Sequence, residues 1–395
     1  MNQSSQPVLA RNPGYKGPLD LGLVMGGGGA RAAYQVGFLR SLARSFPDLL
    51  VPYITGVSAG AINAAHLASH HGNFEQSVEE LYQLWSNLRM EDVFRSDVRS
   101  LSWNMVRWAR KLVSGGTGGS INVRGLVDTA PLRNYLTEVL HTVDGEITGI
   151  QYNLARKHLR AVALSTSSYT TGQSITWVQG QDIQEWERPQ RRSRNCKLNV
   201  EHVMASAALP FFFPAVSIGN EWFGDGGIRL AAPLSPAVHL GARRVMAIST
   251  RYDRSSVEAD QEQIQGYPPP AQIAGVLMNS VFLDLLDHDA LRLERLNGLL
   301  RLLPEEQRGP LRPIELFVMR PSEDLGQLAS RFEPQLPKSF RFLTRGLGTR
   351  ETKSPDFLSL IMFQPDYLQM LMEIGERDAI ERAEEIGQFL TVELE

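Results

Sequence analysis

The amino-acid sequence predicts a three-layer α/β fold with a largely parallel central sheet, followed by a mainly helical C-terminal extension. Short apolar segments that end in glycines alternate with segments of helical periodicity through the first 70 residues. Segments typical of helices follow after residue 270. Because strands that alternate with helices usually pair in parallel between two helical layers, we divide the chain into a polar arm (1–19), an α/β domain (20–250) and the extension (251–395).

The first predicted unit is a strand, a glycine loop and a helix. Leu19–Met25 is a short apolar segment that ends in Gly26–Gly29, which is typical of a buried strand. Residues 31–45 then have apolar side chains at helical spacing, at Ala32, Val36, Leu39 and Ala43. The glycines therefore lie where a strand ends and a helix begins.

The second unit repeats this order around a different turn. Val51–Thr55 is a second candidate strand, and it leads into Gly56-Val57-Ser58-Ala59-Gly60. The alanine-rich sequence through Leu67 favours a helix. Further candidate strands are Ala161–Ser165, Ile175–Gln179 and Arg244–Thr250.

Two linkers and the extension complete the predicted organisation. Residues 114–120 are rich in glycine and serine, and residues 253–272 are polar and then proline-rich. A long amphipathic helix is predicted over residues 273–303, where core packing is favoured over membrane anchoring. The last 40 residues are also predicted to be helical.

Composition excludes several classes of protein. Lys and Arg total 40 against 43 Asp and Glu, so the net charge of −3 gives no reason to expect a nucleic-acid partner. The single cysteine, Cys196, excludes an intramolecular disulfide. Residues 1–19 lack the apolar segment of a signal peptide, and no run of 18 apolar residues predicts a membrane span. We therefore expect a cytoplasmic protein that meets a membrane only peripherally, at its surface.

The sharpest chemical motif is Gly-x-Ser-x-Gly at residues 56–60. A nucleophile between a strand and a helix adopts strained dihedral angles that project its Oγ outward, and Gly56 and Gly60 remove side chains that would clash there. The helix that follows directs its N-terminal N–H groups toward Ser58. The alternative is a glycine-rich turn that contains a serine by chance, but the position between strand and helix favours a nucleophile.

The second motif is the glycine loop at residues 26–29. Its backbone N–H groups suit either an oxyanion hole or the pyrophosphate of a dinucleotide. Gly27-x-Gly29-x-x-Ala32 fits the dinucleotide pattern, and Asp48 follows about 20 residues later. Asp48 precedes the second strand, however, whereas a ribose-binding acid lies at the end of that strand. The oxyanion hole is therefore favoured.

A serine nucleophile needs a base, and the sequence offers two kinds of candidate. None of the eight histidines lies in a motif typical of a catalytic histidine. Asp225 is surrounded by glycines in Phe223-Gly224-Asp225-Gly226-Gly227, which lets another part of the backbone approach closely. Taken alone, this segment favours an ordinary Asp-Gly turn over a catalytic aspartate. No His/Cys cluster has the spacing of metal ligands, so we expect no metal and no cofactor.

Together these motifs resemble those of the patatin-like phospholipases, in particular bacterial cytoplasmic members. The resemblance covers about residues 20–250 and includes Gly27-Gly28-Gly29-Ala30-Arg31-Ala32, Gly56–Gly60, Ala205–Pro214 and Asp225-Gly226-Gly227. A less specific likeness extends to the segments Asn279–Asn297, Arg345–Gly348 and Pro355–Ala379. Ala32 departs from the usual glycine, and this change leaves the N–H groups of the loop in place.

The resemblance implies a patatin-like catalytic domain with a Ser–Asp dyad that hydrolyses lipid or phospholipid esters. Ser58 would be the nucleophile, and Asp225, with Gly226 and Gly227 after it, would be the base. The N–H groups of Gly27, Gly28 and Gly29 would hold the oxyanion. Arg31 would fix the loop or help to neutralise the charge of the oxyanion. An aspartate with its ordinary pKa near 4 is a weak base for an alcohol, so partial burial is expected to raise that pKa.

Residues 93–124 suggest where lipid is met. This stretch contains six basic residues against one acid, with Trp103, Met105, Val106 and Trp108 between them. Residues 93–119 therefore predict either an interfacial helix or lid beside a flexible hinge, or a solvated helix that packs its tryptophans on the domain.

The residues alone leave two other functions open. An α/β-hydrolase with a Ser-Asp-His triad requires a late histidine, such as His239 or His288. A dinucleotide-binding protein would instead use the glycine loop at residues 26–31.

Overall fold

A mixed sheet forms the middle layer of the computed structural model, which describes residues 11–95, 125–260, 267–337, 340–341 and 356–391. Within these residues the sheet has ten strands. They are β1 (Leu21–Met25), β2 (Tyr53–Val57), β3 (Ala161–Ser168), β4 (Ser174–Gly180), β5 (Glu187–Arg188), β6 (Arg191–Asn195), β7 (Val216–Ile218), β8 (Glu221–Asp225), β9 (Arg244–Ile248) and β10 (Glu315–Met319).

The centre of the sheet is parallel, as the sequence predicts. The strand order is β10-β9-β1-β2-β3-β4-β6-β5, and the pairs from β10 to β3 are all parallel. Strand β8 pairs antiparallel with the end of β3 and carries β7 on its other side. The carboxyl ends of the parallel strands therefore share one edge of the sheet.

Helices cover both faces of this sheet. They are α1 (Ala33–Ser45), α2 (Ala59–Ser69), α3 (Phe74–Asn87), α4 (Met90–Val93), α5 (Ala130–Val139), α6 (Thr148–Ala155), α7 (Val200–Ser206), α8 (Ser235–Leu240), α9 (Ser256–Ala259), α10 (Pro270–Phe282), α11 (Asp284–Leu302), α12 (Leu325–Ala329), α13 (Asp356–Ile361), α14 (Pro365–Glu381) and α15 (Ala383–Thr391). Short 3₁₀ turns lie at Gly29–Ala32, Gly226–Ile228, Glu305–Gln307 and Ser330–Gln335.

Successive side chains of β1 enter two different cores, one on each face of the sheet, and this arrangement gives the fold its three layers. Leu23 and Met25 belong to a large core that contains the apolar residues of α1, α2 and α3. Val24 points to a second core, which contains apolar residues of α8 and α11. Because successive side chains of a strand face opposite sides of the sheet, one apolar strand contributes to both cores.

The C-terminal extension packs on the α/β domain. Strand β10 adds a parallel edge strand next to β9, so the extension is not purely helical. Helix α14 lies directly on α1, where Gly37 faces Met372 and Gly375 faces Tyr34 without room for side chains. The small residues allow the two backbones to approach closely and anchor the extension on the first helix of the domain.

The helix predicted over residues 273–303 is interrupted at Leu283. Helices α10 and α11 meet at this residue, which has φ −116° and ψ −38°. In α11, Leu286, Ala290 and Leu300 are buried, in agreement with core packing. Leu299 and Leu302 on the other side of α11 are exposed, as are Ile273, Val276 and Leu277 of α10. Among the described helices, none combines the length and apolar character needed to cross a membrane.

Candidate active site

The glycine loop and the Gly-x-Ser-x-Gly turn lie side by side at the carboxyl edge of the sheet. Strands β1 and β2 are parallel neighbours, and Met25 pairs with Gly56 at their ends. Gly26–Gly29 follows β1, and Ser58 follows β2. The parallel register therefore brings together two motifs that are about 30 residues apart in the sequence.

Ser58 occupies the strained turn that the sequence predicts. Its backbone has φ 56° and ψ −132°, between the end of β2 and the first residue of α2. A side chain at Gly56 would come within 2.7 Å of the Cα of Ala61, and one at Gly60 would meet the carbonyl oxygens of Met25 and Gly26. The turn is thus compatible only with glycine at these two positions, and it holds Ser58 in a conformation that few residues other than glycine adopt.

Ser206 supports the backbone of this turn. The N–H of Ser58 donates to the Oγ of Ser206 at 3.0 Å, and this hydroxyl donates in turn to the carbonyl oxygen of Ser165 at 2.7 Å. Ser206 is fully buried at the end of α7. One hydroxyl thereby ties the serine turn to Ser165 within β3.

The glycine loop is open toward Ser58. Gly28 has φ 144° and Gly29 has φ 55°, values that favour glycine, and a Cβ at Gly27 would lie 3.1 Å from the Cβ of Ser58. Thr250 holds the loop by donating to the carbonyl oxygen of Gly27 at 2.7 Å. The N–H groups of Gly27, Gly28 and Gly29 find no acceptor among the residues that the structure describes. They are available to an anion bound beside Ser58.

Arg31 turns away from Ser58 and binds the C-terminal extension. Its Nε donates to the Oγ of Ser359 at 2.6 Å, and its guanidinium pairs with the carboxylate of Asp356, also at 2.6 Å. Arg31 is 3 % exposed, so this pair is almost fully desolvated. Helix α13 also presses the backbone of Leu360 against Gly29. The extension therefore fixes the shape of the glycine loop.

Asp225 reaches the same place from the last residue of β8. Its N–H donates to the carbonyl oxygen of Ala208 at 3.0 Å, and its Oδ1 accepts the N–H of Gly227 at 2.9 Å. Gly226 lies against Ser165 and Val57, with no room for a side chain. The glycines after Asp225 therefore permit β8 to approach the serine turn.

The environment of Asp225 raises its pKa. The residue is 0 % exposed, and this burial is the largest effect, which raises the pKa to about 7. The nearby Ser58 hydroxyl and the Gly227 N–H lower it in part. The Oδ2 atom is buried, and no described group lies in position to donate a hydrogen bond to it. Asp225 therefore carries a free carboxylate oxygen next to Ser58 and has the pKa of a useful base at neutral pH.

An apolar cavity opens at Ser58. Gly28, Gly29 and Ser58 lie at one end, and the rest of its wall is formed largely by apolar side chains of α2, α3 and α5. A hydrocarbon chain attached to an ester at Ser58 has the chemistry that this wall accepts.

The groups that the two alternative functions require do not lie beside Ser58. His239 stacks on Trp186, with ring centroids 4.8 Å apart, and neither His239 nor His288 lines the cavity at Ser58. Asp48 lies in the loop before β2, where it accepts the N–H of Gly14 at 2.9 Å. This loop is at the amino end of β2, opposite the glycine loop. Among the described residues, no group of three or more His, Cys, Asp or Glu side chains is arranged to hold a metal ion.

Several residues that support the site cannot be identified from the sequence. Ser206 lies within the motif Ala205–Pro214, but nothing in the sequence assigns its hydroxyl to Ser58. Thr250, Asp356 and Ser359 follow the glycine loop by more than 200 residues. No periodic signal links positions so far apart, so only the fold reveals their contacts.

Comparison with known proteins places these motifs in a family. A family model described as patatin-like phospholipase matches residues 23–238, which is more than half of the 395 residues. The curated proteins contain no sequence that matches the chain.

Solved structures give a more distant likeness. Human GIVD cytosolic phospholipase A2 in complex with methyl γ-linolenyl fluorophosphonate is 15 % identical, with 94 % of this chain and 58 % of that chain covered and a TM-score of 0.40. VipD from Legionella pneumophila is 13 % identical, with 94 % and 71 % covered and a TM-score of 0.31. The chain thus spans less than two thirds of the length of the human structure that it matches.

Proposed function

Because the chain belongs to the patatin-like phospholipase family, we propose that it is a serine acyl hydrolase of lipid esters, of the phospholipase A or lysophospholipase type. The observation that carries the proposal is the position of Ser58. Its strained turn lies between the buried carboxylate of Asp225 and an apolar cavity. A nucleophile, a base and a pocket for hydrocarbon are the parts that such a reaction requires.

The proposed reaction has two steps through an acyl-enzyme. In the first, the Oγ of Ser58 attacks the ester carbonyl carbon while Asp225 accepts the hydroxyl proton. The tetrahedral intermediate then releases the alcohol, which takes the proton from Asp225, and the acyl group remains on Ser58. In the second step Asp225 accepts a proton from water as the hydroxide attacks the acyl-enzyme. The tetrahedral intermediate then releases the fatty acid, and the Oγ of Ser58 takes the proton back from Asp225, which restores the free enzyme.

We propose that the glycine loop stabilises the negative oxygen in both steps. The N–H groups of Gly27, Gly28 and Gly29 are the donors, and each such donor is worth about 3 kcal/mol in comparable enzymes. Arg31 holds the loop in place and does not contact the oxyanion itself, because its guanidinium binds Asp356 and Ser359. The extension then acts as the frame of the oxyanion hole.

The proposed substrate implies contact with lipid aggregates. The peripheral membrane contact predicted for residues 93–119 falls, beyond residue 95, outside the described residues. Val93 lies within them and lines the cavity at Ser58. We therefore retain residues 93–119 as the proposed site of lipid contact, on the strength of their basic and aromatic sequence.

Labelling with a fluorophosphonate ester tests this function directly. We expect the reagent to phosphonylate Ser58 stoichiometrically with loss of fluoride, because attack on phosphorus places negative charge on the phosphoryl oxygen where the oxyanion would lie. Mass spectrometry of the digested protein measures the adduct and locates it. The Ser58→Ala variant serves as control and should remain unlabelled while its circular dichroism spectrum is unchanged. Absence of labelling in the folded wild-type protein would refute the proposal.

Substitution of Ser206 tests the support of the serine turn. Ser206→Ala leaves the Ser58 N–H without its acceptor and the Ser165 carbonyl without its donor. We expect the free energy of unfolding to fall by about 1–3 kcal/mol and kcat for a short-chain ester to fall about tenfold to a hundredfold. Urea denaturation and initial rates measure the two effects.

A second serine variant distinguishes the loss of support for Ser58 from the general effect of removing a buried hydroxyl. Ser45→Ala removes a buried hydroxyl that donates to the carbonyl oxygen of Ser41 at 3.3 Å, at the end of α1. This variant should keep the wild-type kcat. An equal loss of kcat in both variants, or none in Ser206→Ala, would show that Ser206 does not position Ser58.

A further inference from the structure

Three helices contribute a large part of the lining of the cavity at Ser58 and form the channel that leads away from it; Phe213, Phe282 and Leu360 are among the other lining residues. Each helix lines it with residues at helical spacing, which is the pattern of a single face. The lining residues from these helices are Ala59, Ile62 and His66 of α2, then Leu81, Leu84, Trp85 and Leu88 of α3 and just after its end, and Leu132, Tyr135, Leu136 and Val139 of α5 with Leu140 after it. The channel therefore runs along α2, away from Ser58.

Polar atoms of the channel wall are already bound to protein groups. Trp85 donates its Nε1–H to the Oδ1 of Asn63 at 2.8 Å, and Tyr135 donates its hydroxyl to the carbonyl oxygen of Leu84 at 3.3 Å. His66 binds the carbonyl oxygen of Ser77 through Nε2 at 3.0 Å. Burial lowers the pKa of His66 to about 4, so its ring is neutral at pH 7. The channel thus presents a hydrocarbon surface to its occupant.

The far end of the channel is a thin wall. His66, Val139 and Leu140 line the channel, and the same three residues also line a separate cleft on the outer side. This outer cleft is more polar than the channel and includes His70, Glu80, His141 and Thr148 among its lining residues. The three shared side chains therefore separate the apolar channel from a more polar cleft.

Helix geometry gives the length of the channel. His66 is eight residues beyond Ser58, and a helical rise of 1.5 Å per residue places it about 12 Å away along α2. A staggered hydrocarbon chain, with bonds of about 1.52 Å and angles near 111°, advances about 1.25 Å per carbon. About ten carbons therefore fill the distance between Ser58 and the wall.

We propose that His66, Val139 and Leu140 form the end wall of an acyl-chain pocket and restrict the enzyme to acyl groups of about ten carbons. The proposal rests on the proposed acyl hydrolase function. Within the channel each added methylene is buried against apolar side chains, and at the wall the side chains leave no space for a further one. Chain-length selectivity is thus set by these three side chains.

The wild-type protein tests the length of the pocket. With p-nitrophenyl esters below their aggregation limits, kcat/KM should rise about fourfold per added methylene up to about ten carbons. It should then fall at least about tenfold by 16 carbons, since the longer chain has no space. The same order is expected for the rate of Ser58 labelling by alkyl fluorophosphonates with 4, 10 and 16 carbons. A profile that rises continuously to 16 carbons would overturn the proposal.

Substitutions at the wall test its identity. Leu140→Ala and, separately, His66→Ala open the channel to the outer cleft and should raise the ratio of 16-carbon to 10-carbon turnover at least about tenfold. Ile62→Phe fills the channel one helical turn from Ser58 and should move the optimum to about four to six carbons. Thermal unfolding establishes that each variant is folded, and two wall variants remain informative if one fails to fold.

A matched leucine provides the control. Leu136→Ala makes the same change in the side of the channel, at a residue that does not line the outer cleft. Its chain-length optimum should stay at about ten carbons, whatever its effect on the rate. A shift in Leu136→Ala equal to that in Leu140→Ala would overturn the end-wall assignment. Absence of Ser58 labelling by all three fluorophosphonates would instead refute the proposed hydrolase function, so the two failures can be told apart.

Discussion

Ser58→Ala is expected to reduce the hydrolysis of a ten-carbon ester at least about 10⁴-fold, because it removes the proposed nucleophile. The alanine fits the same turn without added volume, although it retains the strained φ of 56°. The backbone N–H that binds Ser206 is also retained. The free energy of unfolding should therefore stay within about 1 kcal/mol of wild type. Hydrolysis rates and urea denaturation measure the two quantities.

Asp225→Asn is expected to reduce the same rate about 10²- to 10⁴-fold, because a carboxamide cannot accept the proton of Ser58. The side chain keeps its size and can still accept the Gly227 N–H. Asp289→Asn is a matched control, since Asp289 is partly buried, also has a raised pKa and accepts the N–H of Leu234 at 2.9 Å rather than a group of the serine turn. Near-wild-type activity in Asp225→Asn, or an equal loss in Asp289→Asn, would exclude Asp225 as the base.

The sequence predicts the parts of this fold that local patterns determine. An apolar segment followed by glycines predicts β1 and its loop, and Gly56–Gly60 predicts the strained turn, because only glycine tolerates such close backbone contacts. Strands β3, β4 and β9 begin within one residue of their predicted starts. Each of these signals lies within a few residues of the feature that it predicts.

Features that depend on distant contacts are not predictable in this way. Strands β5, β6, β7 and β8 are short or partly exposed, so they lack the apolar pattern that reveals a buried strand. Strand β10 is surrounded by helices in the sequence, and its place beside β9 follows only from the packing of the extension. Likewise, Arg31 and Asp356 are 325 residues apart.

The candidate site depends both on local sequence motifs and on contacts between distant residues. Ser58 and Asp225 lie in short motifs, so their chemistry can be inferred from their neighbours in the sequence. The pKa of Asp225 depends on complete burial, however, and burial is created by β3, β8 and the serine turn together. The channel wall similarly requires three helices whose apolar faces each resemble ordinary core packing. Sequence patterns identify the proposed reacting groups, and the tertiary structure supplies the burial and the cavity on which their proposed reactivity and selectivity depend.

Hydrolysis should depend on pH through Asp225. Its pKa is raised to about 7 by burial, and only the ionised carboxylate accepts the Ser58 proton. We therefore expect kcat/KM to be constant above about pH 8 and to fall about tenfold per pH unit well below pH 7. Initial rates with an uncharged ester between pH 5 and 9 measure this limb. A rate that remains constant down to pH 5 would show that Asp225 is not the base or that its pKa is ordinary.

The same pKa predicts a cost in stability that the Asp225→Asn variant removes. Since the pKa is about 7 in the folded protein and near 3.8 in the unfolded chain, the folded state binds the proton more tightly. The free energy of unfolding therefore falls as the pH rises from about 4 to 7, and the ionised carboxylate costs about 4 kcal/mol above that range. Asparagine does not titrate, so its stability relative to wild type should increase by about this amount between pH 4 and pH 8. Urea denaturation of both proteins across this range measures the difference, and a difference that does not change with pH would contradict the raised pKa. An inactive variant that gains stability only where the wild-type carboxylate is ionised would link the burial of Asp225 both to its strength as a base and to its cost in folding.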